Sequence, residues 1–276
     1  MEQQLVLVTG AAGKTGSRIA TRLADRGIEI RRGSRKATPA FDWNDESSWD
    51  AALTGVASAY VNYAPDTRAA SATETISRFV DIARRQGVGR LVFLSGRGET
   101  EAQECERIVL DSGIVSTVVR SAWFNQNFSE GEFLDMVLGG ALTLPAGSVG
   151  EPFVDLDDLA DVAVAALTED GHAGQIYEVT GPRLLTFADV ASELTQAVGR
   201  DIAYQEISRD AFVAAVAGSG APEEFVQAMD YLFSVVMDGR NSYLSDGVIR
   251  ALGRPPKDFT DFASEVATTE LWRNVA

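Results

Sequence analysis

Residues 5–16, LVLVTGAAGKTG, constrain the fold of this 276-residue chain more than any other stretch. Leu5, Val6, Leu7 and Val8 form a continuous aliphatic run, the composition of a central parallel strand buried on both faces. Gly10, Gly13 and Gly16 follow at G-x-x-G-x-x-G spacing. Residues 17–25 then read as a helix, with Ile19, Ala20 and Leu23 on one face and Arg18, Arg22 and Arg26 on the other. A chain that turns this tightly, admits a pyrophosphate to its backbone and packs the new helix on the strand needs glycine at those points. The helix start offers free N–H groups and a positive dipole end to phosphates. Strand, glycine turn and amphipathic helix in that order point to a dinucleotide site; the plainer alternative is an ordinary strand–turn–helix.

The same alternation continues. Residues 28–34, 57–63, 90–95 and 114–120 read as strands, and a short stretch to Leu53, 66–86 and 99–112 as helices. This is the pattern of right-handed βαβ units and a parallel sheet. It then loosens. Residues 123–138 are aromatic-rich and read as helical, 156–169 is a strongly periodic helix, and 175–180 reads as the last strand of the main sheet. Thr186-x-x-Asp189 resembles a capping box opening a helix over 186–198. A short strand at 202–205 and three or four helices follow, broken at 218–222, near Gly239 and at 253–256. The expected fold is α/β: a Rossmann-type doubly wound parallel sheet with a small, mostly helical C-terminal substrate lobe. The expected division is a dinucleotide-binding domain over 1–180, with 123–145 contributing to the substrate cleft, and a substrate lobe over 181–276.

Composition removes several function classes. The formal charge of −16 disfavours nucleic acid or an anionic membrane as partner. No apolar segment reaches membrane-spanning length, and the amino terminus enters a strand without a charged-then-apolar leader, so a cytoplasmic location is expected. Cys105 is the only cysteine and His172 the only histidine, which excludes internal disulfides and argues against zinc sites. Asp155, Asp157, Asp158 and Asp161 surround a helix start, where acids are electrostatically favoured, and no metal is expected.

The charge is unevenly spread. Residues 1–36 hold eight Lys/Arg against three Asp/Glu, a net of +5, leaving −21 for the remainder. An NAD-specific fold places an acid at the end of its second strand, on the ribose hydroxyl. Here that strand ends in Gly33-Ser34-Arg35-Lys36, a hydroxyl and two cations that suit a ribose phosphate. NADP(H) is therefore favoured over NAD(H); the alternative is a solvated basic turn that selects neither.

TGAAGKTG at 9–16, GSR at 33–35, FDWNDESSW at 41–49, VVRSAWFNQNF at 118–128, PFVDLDDLADVA at 152–163 and YEVTGP at 177–182 together resemble the NmrA-like atypical short-chain dehydrogenases. The likeness is to the branch of fungal ergot-alkaloid reductases and their bacterial relatives, and it runs over essentially the whole chain. It implies an NADP(H)-dependent reductase of small aromatic or conjugated substrates. By that resemblance Thr9, Gly10, Ala12, Gly13, Lys14, Thr15 and Gly16 hold the phosphates, and Asp42 and Trp43 lie beside the adenine. Asn62, Tyr63, Ala64 and Pro65, Ser95 and Gly96, and the turn from Arg120 to Phe124 line the nicotinamide, and Trp123, Phe124, Asn127 and Phe128 line the substrate pocket. A monomer or homodimer is expected.

Mechanism departs from the better-known dehydrogenases, whose Tyr-x-x-x-Lys pair protonates an alkoxide. Residues 96–112, after Ser95, contain neither tyrosine nor lysine. Quinones, iminium ions and enones accept hydride without a strong acid, so hydride transfer by positioning is inferred. Ser95, Tyr63 and Trp123 are the candidate catalytic lining residues; each also has a structural reading, as a helix cap or as core. A non-catalytic NAD(P)-binding redox sensor acting through a protein partner fits the missing pair equally well. Lys14 reads as a phosphate contact or a solvated lysine, Cys105 as a thiol blunted by neighbouring acids, and His172 as a turn residue.

Overall fold

The computed structural model describes residues 4–64, 67, 69 and 71–272. Val6–Thr9 (β1) is buried along its whole length, at most 1% exposed at any residue. The chain continues through Lys14–Asp25 (α1), Ile30–Gly33 (β2), Trp49–Leu53 (α2), Ser58–Val61 (β3), Ala72–Arg85 (α3), Arg90–Gly96 (β4), Thr100–Leu110 (α4) and Val115–Ser121 (β5). Leu134–Gly139 (α5), Ala141–Leu144 (β6), Leu156–Thr168 (α6), Ile176–Val179 (β7), Phe187–Val198 (α7) and Ala203–Glu206 (β8) follow. The last helices are Arg209–Gly218 (α8), Glu223–Tyr231 (α9), Gly247–Leu252 (α10) and Phe259–Thr268 (α11).

The main sheet has six strands in the order β2-β1-β3-β4-β5-β7, all parallel. The chain steps outward from β1 to β2 and then crosses back to β3. With right-handed crossovers that reversal sends α1 to one face and α3 to the other, and it opens a crevice at the carboxyl ends of β1 and β3. Helix α6 packs beside α1, and α4 beside α3. Arg22 of α1 ties the first pair together, bonding Asp157 and Asp161 of α6 at 2.7 Å each.

Contacts divide the chain into two units. The first comprises residues 1–121, 156–179 and 246–255, and holds the main sheet. The second comprises 122–155, 180–245 and 256–276. Its core is dominated by phenylalanines and Trp272, around a two-stranded parallel sheet of β6 and β8. Thr186 caps α7 and exchanges hydrogen bonds with Asp189, completing the capping box.

Three elements differ from expectation. Helix α1 begins at Lys14, not 17, because the Gly13 carbonyl already accepts the Ser17 N–H at 3.0 Å. The helix expected from residue 66 is helical from Ala72; residues 65, 66, 68 and 70 lie outside the described set. The aromatic run 123–138 is not one helix but a 3-10 turn, Asn125–Phe128, followed by α5. Its start is tied instead to residue 154: Asn125 N–H donates to Val154 O, and Val154 N–H to Trp123 O. No helix among the described residues is long and apolar enough to cross a membrane.

Candidate functional site

The glycine turn is shaped by close backbone approach. Gly10 adopts φ +62°, and its carbonyl accepts the Gly13 N–H at 2.8 Å. A Cβ at Gly16, inside the first turn of α1, would stand 2.3 Å from that carbonyl oxygen. A Cβ at Gly10 would stand 3.2 Å from Nδ2 of Asn62, which packs over the turn from beyond β3. Thr9 ties the two strand ends together, accepting the Asn62 N–H at 2.8 Å. No side chain caps α1 and no acid occupies its first turn. Its leading N–H groups and dipole therefore face whatever lies over the turn. Ala12 and Gly13 are exposed, Lys14 is half-buried, and Thr15 is buried in the first helical turn.

Beyond β2 the chain bends at half-buried Ser34, whose carbonyl accepts the N–H groups of Ala37 and Phe41. Arg31 is structural: it bonds the Ala52 and Thr54 carbonyls at the end of α2, at 2.9 and 2.7 Å. Arg35 and Lys36 are exposed, and their side chains have no partner among the described residues. No acid stands at this strand end.

Phe41, Trp43, Trp49, Tyr63 and Phe79 form one aromatic cluster. Trp43 is half-buried, donates Nε1–H to Asn62 O at 3.1 Å and meets Tyr63 edge-on at 5.1 Å. The Asp42 carboxylate accepts the Asn44 N–H, forming its own turn. Tyr63 is buried in this cluster, and Ala64 is exposed beside it.

Across β4, β5 and β7 lies a polar row; Ser95 and Arg120 are expected at the nicotinamide, but their pairing with Glu106 and Glu178 is not. Ser95, Arg120 and Glu178 are cross-strand partners on β4, β5 and β7, so they share a face of the sheet. Glu106 of α4 descends onto it. Ser95 Oγ donates to Glu106 Oε1 at 2.6 Å. Arg120 forks the same carboxylate, Nε to Oε1 at 2.9 Å and Nη2 to Oε2 at 2.5 Å, and extends Nη1 to Glu178 at 2.7 Å. Pairing with Glu106, then with Glu178, raises the guanidinium above its already high range. Arg97, only 3% exposed, pairs with Glu178 at 3.5 Å. A Cβ at Gly96 would stand 2.3 Å from the Glu99 carboxylate. A signal did exist: Ala102, Cys105, Glu106 and Val109 share one buried helical face, and a carboxylate on such a face needs a cation.

In the second unit Trp123 is half-buried, stacked on Phe133 at 5.9 Å and flanked by Phe187 and Phe233. Phe124 and Asn127 are half-buried. Phe128 is fully enclosed among Phe133, Phe153, Phe187 and Phe259, and its carbonyl accepts Trp272 Nε1–H; it packs core.

Other singled-out residues have plain partners. Asp157, Asp158 and Asp161 pair with Arg22 and Arg254, while Asp155 accepts from Gln126. His172 Nδ1 meets the Tyr177 hydroxyl at 2.9 Å. Cys105 is buried, and burial first, then Glu104 and Glu106, push its thiol up to about 11. The acids expected to blunt it are thus the lesser cause.

The NmrA-like family model matches residues 2–274. The chain is 31% identical to agroclavine dehydrogenase of Claviceps fusiformis, over 98% of this chain and 99% of that protein. It is 30% identical to NAD(P)H azoreductase of Xenophilus azovorans, over 94% and 96% respectively. In fold it is similar to the triphenylmethane reductase of Citrobacter sp. solved with NADP(H), with a TM-score of 0.77 and 22% identity over 96% and 99% of the two chains.

Proposed function

The chain belongs to the NmrA-like family, and on that ground we propose that it is an NADPH-preferring oxidoreductase that reduces a small conjugated electrophile. Quinones, iminium ions and enones are the candidate classes, with aromatic natural-product tailoring as the setting. The carrying observation is the crevice edge of the first unit: a glycine cradle that a single Cβ would fill, followed at the next strand end by two cations without a partner among the described residues.

The residues fit the cofactor. Gly10, Gly13, Gly16 and the open amino end of α1 suit a pyrophosphate, because backbone and dipole meet it without an intervening side chain. Ser34, Arg35 and Lys36 suit the ribose phosphate that distinguishes NADPH. Trp43 presents a half-buried ring on which the adenine would lie, and Asn62, Tyr63, Ala64, Ser95 and Gly96 would border the nicotinamide. The bound dinucleotide supplies a hydride equivalent.

The side chains then determine which acceptors can use it. Helix α4 carries no tyrosine or lysine, and its residue nearest Ser95 is Glu106, already held by Arg120. Helix α4 thus offers no Tyr-Lys acid for an alkoxide, which favours acceptors that neutralise or delocalise the incoming charge. Trp123 is proposed as the aromatic surface that a flat substrate touches. Relatives named as an agroclavine dehydrogenase and an NAD(P)H azoreductase support oxidoreductase chemistry. The test is stopped-flow NADPH oxidation with one quinone, one imine and one enone. Turnover on one class supports the reading, and none on any of them removes it.

A further inference from the structure

Helices α8 and α9 form a hairpin in the second unit whose buried side chains sit only at its root. Phe212, in the first turn of α8, and Met229, near the end of α9, are buried. Every side chain from Val213 to Ala228 is exposed or half-buried. Arg209 forks Asp230 across the root, Nε to Oδ1 at 2.5 Å and Nη2 to Oδ2 at 2.7 Å. The tip turns at Gly220, whose φ is +81°. Ala214, Ala215, Ala217 and Phe225 are apolar and exposed, so burial does little to hold the outer half in place.

After α9 the chain passes through one π turn, Leu232–Val236, in which Met237 N–H donates five residues back to the Leu232 carbonyl at 2.9 Å. Such turns interrupt the helical ladder and are points where a helix bends. This one carries Phe233, whose ring lies 4.9 Å from that of Phe212 and 5.4 Å from that of Trp123, centroid to centroid. A flat ring inserted between two others needs about 3.5–4 Å on each side, so Phe233 stands roughly 2 Å too close to Trp123 to admit one. We propose that the α8–α9 hairpin is a lid hinged at Leu232–Val236. Its opening withdraws Phe233 so that a flat substrate lies against Trp123, and its closing brings Phe233 onto the substrate's other face. The proposal rests on the reductase reading, with Trp123 as the substrate surface. A substrate that gains both rings favours the displaced hairpin and so shifts its population.

Hydrogen exchange on the full chain, read by mass spectrometry at two protein concentrations, tests the hinge without any ligand. Residues 209–231 are expected to open as a unit, exchanging at least about ten-fold faster than α7 and α11. Arg209→Ala should speed that exchange about three-fold further and leave α7 and α11 unchanged. Menadione, protonated 3,4-dihydroisoquinoline and chalcone serve as quinone, imine and enone probes. With NADP+ bound, whichever of them the enzyme reduces should slow exchange over 209–236 by about three-fold or more. Phe233→Leu should raise KM for that probe about five-fold while kcat and the KM for NADPH hold. The exchange measurements decide the matter if F233L does not fold. Protection of α8 and α9 equal to that of α7 overturns the lid, as does exchange left unchanged by a probe that is reduced. Protection that rises with protein concentration would mean that a second copy covers the hairpin, and overturns it too. Fast hairpin exchange with no NADPH oxidation on any probe overturns the reductase reading instead.

Discussion

The carbonyl oxygen of Gly10 lies 2.3 Å from where a Cβ on Gly16 would stand. In an exposed helix, alanine in place of glycine gains about 1 kcal/mol. Here the clash is with backbone, which cannot swing aside. Gly16→Ala should therefore destabilise by about 1–3 kcal/mol. It should also weaken NADPH binding more than ten-fold, read by nicotinamide fluorescence titration beside a thermal melt. A variant that gains stability and binds normally would contradict the cradle.

Arg35 and Lys36 have no partners to lose among the described residues. Replacing both with alanine should leave the melting temperature within a degree or so, since such surface changes cost little. NADPH affinity should fall about ten- to a hundred-fold, on the scale of one or two charge-assisted bonds, with NADH affinity unchanged. The NADPH preference of wild type should also shrink as salt is raised. Parallel titrations with the two cofactors check this.

How much was legible turns on particular residues. The strands were visible because β1, β3, β4 and β5 are buried on both faces and so read as apolar runs. The Thr186–Asp189 cap was visible because its bonds are local. The run 123–138 misled, because its aromatic spacing mimics a helix while the backbone bonds at its start go to residue 154, a partner no local pattern reveals. The row of Ser95, Glu106, Arg120 and Glu178 was hidden for the same reason: strand register brings together residues up to 83 positions apart (178 − 95).

Asp258 caps α11, accepting the Thr260 N–H, and receives both nitrogens of an Arg183 fork. The Arg183 bond above all holds its carboxyl down at about 2. A lowered carboxylate stabilises the fold above its unfolded value, about 3.9, and loses that contribution as pH falls through the folded value. Asp258→Asn should therefore cost about 1 kcal/mol or more at neutral pH. The gap to wild type should close between about pH 4 and pH 2. Chemical denaturation across that range tests the sign.

Cys105 is fully buried and its thiol is pushed up to about 11. At neutral pH it is a protonated, enclosed thiol with little nucleophilic thiolate. Native protein should react with a soluble disulfide reagent at least a hundred-fold more slowly than urea-unfolded protein, and modification should track unfolding. Fast labelling of the native state would contradict the burial.

Trp123 rests on Phe133 and is half-buried. Trp123→Ala should lower kcat/KM for aromatic acceptors about ten-fold or more while NADPH binding holds, separating a substrate contact from a cofactor contact. Loss of both together would indicate collapse of the second unit.

The central claim is that this protein oxidises NADPH at the expense of a small conjugated acceptor. Steady-state oxidation at the nicotinamide absorbance, with NADPH and NADH run in parallel over quinone, imine and enone acceptors, tests it most directly. The proposed function predicts turnover on one class with NADPH clearly preferred. Tight NADPH binding with no turnover on any acceptor would contradict it and mark a dinucleotide sensor instead.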